Sequence, residues 1–125
     1  MKQVIKPAKA AAPVGPYSHA IRVGQFLFCS GQIPLDPATC QLVAGDIRAQ
    51  TERVLLNIQA ILADQNLKPE DVVKTTVFLT KMEDFAAMNE VYGRHFSEQP
   101  PARAGVQAAK LPKGSLVEIE AIAVK

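Results

Sequence analysis

Residues 116–124 alternate in a way that divides them between two faces. Val117, Ile119, Ala121 and Ala123 share one face, and Leu116, Glu118, Glu120, Ile122 and Val124 share the other. A period of two is that of a β-strand. The preceding residues 102–109 read as another strand, joined to it by a turn at Leu111-Pro112-Lys113-Gly114. Further strands are expected at residues 2–6, 18–23, 26–30 and 72–80, with Gly24-Gln25 as a hairpin turn between the second and third. Phe26-Leu27-Phe28-Cys29 is apolar throughout, which suits a strand buried on both faces.

Two stretches change to helical spacing. In residues 47–67, Ile47, Val54, Leu55, Ile58, Ile61 and Leu62 recur on one face, and Asp46 stands where an N-cap belongs. Thr80-Lys81-Met82-Glu83 has capping-box spacing, and Phe85, Met88, Tyr92 and Phe96 form the stripe of a second helix. Residues 7–16 and 34–45, rich in turn formers, read as loops. The order is three strands, helix, strand, helix and two strands, an α+β arrangement. Two amphipathic helices cover one face of such a sheet and leave the other bare. The last strand is apolar on both faces, so the second is expected to be buried against another copy of the chain.

Composition narrows the classes. The 125 residues fit one domain, 1–125, with 48% hydrophobic and 21% charged residues, ordinary for a globular protein. The net charge is +2, and Lys and Arg are scattered, which argues against a nucleic-acid surface. No apolar run approaches the ~20 residues of a membrane span. Met1 and Lys2 lead into no apolar signal segment, so a cytoplasmic location is expected. Cys29 and Cys40 are read as free thiols in a reducing compartment. Neither has metal-ligand spacing, and His19 and His95 stand far apart, so no metal site is expected.

The candidate chemistry lies in the last two strands. Arg103, Gly105 and Gln107 share a face of the fifth strand, and Glu118 and Glu120 share a face of the sixth. If the two strands pair, a guanidinium and a carboxylate come within reach of each other. The first binds carboxylates and the second moves protons. A strand arginine is usually solvated, and alternating glutamates usually mark a wet face. Ile122 and Val124 beside the glutamates weaken that plainer reading. Gly31, after Ser30, either ends a strand or lets backbone N–H groups approach a ligand. Asn89 lies on the inward side of the second helix and needs hydrogen-bond partners there.

Pro101-Ala102-Arg103-Ala104-Gly105-Val106, Leu111-Pro112 and Val117-Glu118-Ile119-Glu120-Ala121 resemble the signature of the Rid family, also called YjgF/YER057c/UK114. Gly15-Pro16-Tyr17-Ser18, Ser30-Gly31-Gln32 and residues 84–89 resemble further family motifs, in the family's order over nearly the whole chain. The resemblance implies a chorismate-mutase-like fold, with a six-stranded mixed sheet and two helices on one face. It also implies a homotrimer with intersubunit sites and no cofactor. The implied activity is hydrolysis of 2-imino acids and their enamine tautomers to 2-oxo acids and ammonia. Arg103 would clamp the substrate carboxylate and Glu118 would activate water. Tyr17, Ser30, Gly31, Asn89 and Gly105 would shape the pocket. Position in the motif favours Glu118 over Glu120. Many RidA-type members carry Cys where this chain has Gly105, so a thiol step there is excluded and a wider pocket is expected. The alternatives are a module of the same fold that binds a small carboxylate without turnover, and the ribonuclease or translation-inhibitor roles ascribed to some members.

Overall fold

The computed structural model describes residues 1–9, 13 and 15–125. Part of the expected loop at residues 7–16 therefore lies outside the described residues. The chain forms strands β1 (Gln3–Ile5), β2 (Ala20–Val23) and β3 (Phe26–Gln32), helix α1 (Ile47–Asp64), strand β4 (Val72–Leu79), helix α2 (Phe85–His95), and strands β5 (Ala102–Gln107) and β6 (Val117–Val124). The six strands make one mixed sheet in the order β1-β2-β3-β6-β4-β5. All neighbours are antiparallel except β4 and β5, which run parallel. The expected α+β architecture is the observed one.

The expected pairing of the last two strands is not observed. β4 lies between β5 and β6, pairing with both. Residues 108–116, which include the Pro112–Gly114 turn, carry the chain past the β4 position. A parallel partner for β4 requires a crossover, and α2 supplies it.

Both helices pack on one face of the sheet. Val54, Leu55, Ile58, Ile61 and Leu62 of α1 and Met88 and Val91 of α2 meet Leu27, Val77, Leu79, Val117 and Ile119, all essentially inaccessible. Asp46 caps α1, its side chain accepting from the Ala49 N–H at 3.1 Å. The capping box expected for α2 is absent. A 3₁₀ turn, Met82–Asp84, leads into the helix, and Asp84 at the N-cap makes no side-chain cap bond. His95, in the last turn of α2, joins the helices through Gln59 (2.9 Å) and Glu52 (2.8 Å) of α1.

The opposite face is bare. Phe26 and Phe28 are 48% and 42% exposed, and Val23 and Val73 are similar. In β3 only Leu27, Cys29 and Gln32 are buried. The uninterrupted apolar run of β3 thus corrects to one covered and one uncovered face within a single chain. Among the described residues no helix is long and apolar enough to cross a membrane.

Candidate active site

Register and pleat separate Arg103 from Glu118. Arg103 pairs with Thr75, whose side chain points into the helix-covered layer. Glu118 pairs with Phe78, and the next pair, Val77 with Ile119, is fully buried under the helices. Side chains alternate, so Glu118 lies on the bare face and Arg103 on the helical one. The two also differ by two inter-strand spacings and three residues along the strands, about 10 Å in each direction. Within one chain the expected Arg103–Glu118 contact therefore does not exist. The candidate residues gather into two separate groups.

The first group surrounds Glu118. β3 carries one extra residue against β6 between Cys29 and Gln32, a bulge that contains Ser30 and Gly31. Strand glycines often mark bulges, and bulges re-aim neighbouring groups. The strand does not end at Ser30-Gly31 but continues to Gln32. The Glu118 side chain lies across Gly31, its Cδ 2.9 Å from where a Cβ on Gly31 would stand. The Ser30 hydroxyl donates to the Ser18 carbonyl at 2.6 Å, and the Ser30 N–H donates to the His19 carbonyl at 2.9 Å. These bonds fasten the segment that carries Tyr17 to the bulge. Tyr17 itself is exposed. Burial, and secondarily the charge of Glu120, raise the Glu118 carboxyl above the ordinary carboxylate value. Glu120 pairs with Thr76, is more exposed, and lines a shallow hollow with Lys74 and Phe28.

The second group surrounds Arg103. Its guanidinium donates from Nη1 to Asn89 Oδ1 at 2.7 Å. It lies 5.2 Å from the centre of the Phe85 ring and 4.8 Å from that of Tyr92. The Tyr92 hydroxyl is bonded to Thr75 Oγ1 at 2.6 Å in a buried position. Cation–π contacts contribute roughly 0.5–1 kcal/mol each at exposed sites. Asn89 thus finds the partner that its inward position demanded. Phe85 and Tyr92 were legible only as an apolar helix stripe. Their spacing with Asn89 (85, 89, 92) was the signal that all three share one helix face. The pocket expected to widen at Gly105 does not. Phe85 Cε1 lies 2.9 Å from where a Cβ on Gly105 would stand, so the aromatic ring fills the space.

Neither histidine offers an oriented base. Both ring nitrogens of His95 are engaged, and those of buried His19 have no hydrogen-bond partner among the described residues. Cys29 is buried, and its thiol is pushed up to about 12, so it stays protonated. Among the described residues no group of His, Cys, Asp or Glu is placed to hold a metal ion.

A two-helix, six-stranded mixed sheet with an arginine group on one edge and a carboxylate group on its bare face defines the class as α+β. Residues 7–125 match the Endoribonuclease L-PSP family, and the chain belongs to it, the family also known as Rid or YjgF. A RutC family protein of Pyrococcus abyssi is 54% identical, over 99% of this chain and 98% of its own. The 2-iminobutanoate/2-iminopropanoate deaminase of Mus musculus is 46% identical, over 100% of this chain and 93% of its own. The structure of E. coli TdcF with bound serine superposes with a TM-score of 0.93 at 40% identity, covering 98% of each chain.

Proposed function

We propose that this chain is a 2-imino acid deaminase working as a homotrimer, with each site built from the Arg103 group of one subunit and the Glu118 group of its neighbour. The observation that carries this reading is the separation of the two groups. A caged arginine with spare donors and a half-buried carboxylate are complementary chemistry, yet they face apart in one chain. The bare face with Phe26 and Phe28 is the surface by which copies would meet. The deaminase of Mus musculus, 46% identical, supports the choice of substrate.

Arg103 uses one N–H on Asn89, leaving a fork of donors for the substrate carboxylate. Glu118 takes a proton from water as the water oxygen bonds to the imine carbon, and the nitrogen gains a proton. The carbinolamine then collapses. The C–N bond breaks, ammonia leaves, and the carbonyl of the 2-oxo acid forms. A carboxyl raised above its ordinary value is a better acceptor for this water proton than an ordinary one. Ser30, Gly31 and Tyr17 would hold the water and the substrate's imine end, and no cofactor enters.

The test generates 2-aminoacrylate with a dehydratase and follows pyruvate formation against semicarbazide trapping. Wild type outcompetes the trap, whereas Arg103→Ala and Glu118→Ala do not, though both remain folded oligomers. If wild type leaves imines from several amino acids untouched, the better account is a carboxylate-binding module. The bound serine in TdcF is the observation that favours that second reading. An endoribonuclease activity, the family's printed description, has less support here, because neither histidine is placed as an acid–base group.

A further inference from the structure

Two opposite charges stand on the bare, apolar face of the sheet. Thr75 points into the helix-covered layer, so its neighbours Lys74 and Thr76 in β4 project onto the other face. Thr76 lies opposite Glu120 of β6, and Lys74 lies opposite Ile122. Lys74 and Glu120 are therefore diagonal neighbours on one surface, ~7–8 Å apart along the sheet. Both line one shallow hollow, with Phe28, Thr76 and Ile122 in its walls. Phe26, Phe28, Val23 and Val73 are exposed on the same sheet. The ion pairs of the described residues are Arg48–Glu90 and His95–Glu52, so neither Lys74 nor Glu120 is paired within the chain. In water this is of no consequence. Covering the face with a second copy removes both charges from water, and a charge buried without a partner is strongly unfavourable. The hollow itself offers the remedy. Copies set around a closed rotation axis through it bring each Lys74 to the next copy's Glu120, so that lysines and glutamates alternate around the axis. Glu118 is not among the residues that line the hollow and lies instead across Gly31.

We infer that Lys74 of one subunit and Glu120 of the next form an ion pair that fixes how copies of this chain register on the bare face. The inference rests on the reading that copies meet through that face, and adds to it the pair that selects one arrangement. The exposed phenylalanines and valines supply area to bury, but apolar contact is non-directional. Opposite charges across an interface fix its register and reject arrangements that bring like charges together. One lysine and one glutamate on each copy satisfy a closed ring, since each copy gives one partner and receives one.

The experiment follows the mass of the full chain by analytical ultracentrifugation over a dilution series. The variants are Lys74→Glu, Glu120→Lys and the exchanged double variant Lys74→Glu/Glu120→Lys. Each single reversal sets like charges against each other and should raise the concentration of half-assembly about a hundredfold. The double variant, in which the pair is restored with its ends exchanged, should return to within about threefold of wild type. An equal mixture of the two single variants should assemble at concentrations where neither does alone, because an all-negative face then meets an all-positive one. Circular dichroism shows which variants are folded. Should a reversal fail to fold, Lys74→Met and Glu120→Gln take its place, each with a rise of about tenfold expected. Single variants that assemble as wild type does overturn the proposal. So does a double variant no better than the singles. A double variant that recovers while the mixture does not places the pair within one chain and also overturns it. A wild type that assembles with the expected pattern but turns over no imine keeps the ion pair and removes the deaminase reading. A wild type that stays monomeric at every concentration removes the ion pair and the shared site together.

Discussion

A methyl group on Gly31 and the Glu118 carboxyl compete for one space, since a Cβ there would stand 2.9 Å from Glu118 Cδ. Gly31→Ala therefore moves the carboxylate without altering it. Activity should fall by about 10²-fold, the lower end of what a positioned proton-transfer group contributes, while melting temperature changes little. Wild-type turnover in a folded Gly31→Ala protein would separate Glu118 from the chemistry. The acidity of Glu118 gives a second handle. Burial and the Glu120 charge both raise it, and a base must be ionised to act. The acid limb of kcat/KM should thus respond to the Glu120 charge. Glu120→Gln removes a like charge, makes ionisation easier, and should shift that limb to lower pH. A pH–rate profile settles the sign. A limb that stays in place or moves upward excludes Glu118 as the titrating base.

The elements were read from residues of quite different kinds. Asp46 was legible as a cap because its side chain and the first turn of α1 are neighbours in sequence. Asp46→Ala should cost ~1 kcal/mol, measured as a lowered denaturation midpoint with unchanged slope. An unchanged midpoint would mean that the α1–β6 packing alone holds the helix start. The faces of β6 were legible because pleating is local. The neighbour of β6 was not, because β5 and β6 are adjacent in sequence and nothing in either strand announces that β4 comes between them. The bulge at Ser30-Gly31 left one trace, a glycine inside an apolar strand, and its meaning depends on the register with β6. Phe85 and Tyr92 likewise show a helical period whether they fill a core or flank a guanidinium. Only the strand laid against them distinguishes the two.

In the whole molecule, the face across the sheet from the helices holds Phe26, Phe28, Ile122 and Val124, an exposed to half-exposed apolar surface of the kind that marks interaction sites. On the proposal that copies meet through that face, the Glu118 group of one stands against the Arg103 edge of another. This arrangement has a consequence that a site within one chain does not. On that reading Arg103→Ala and Glu118→Ala proteins should each be inactive, yet each retains what the other lacks. When subunits are exchanged, a site regains both groups only if its arginine comes from a Glu118→Ala subunit and its glutamate from an Arg103→Ala subunit. In a closed ring of randomly mixed equal parts, about one site in four meets that condition. Mixing the two variants after mild dissociation should therefore restore about a quarter of wild-type activity. The recovery should follow the rate of subunit exchange and vanish if exchange is blocked by cross-linking each parent first. Were both groups drawn from one chain, no mixture could contain an intact site, and activity would stay at the level of the parents. The register of β4 with β5 and β6 excludes that second geometry within a subunit, since it places the two side chains on opposite faces.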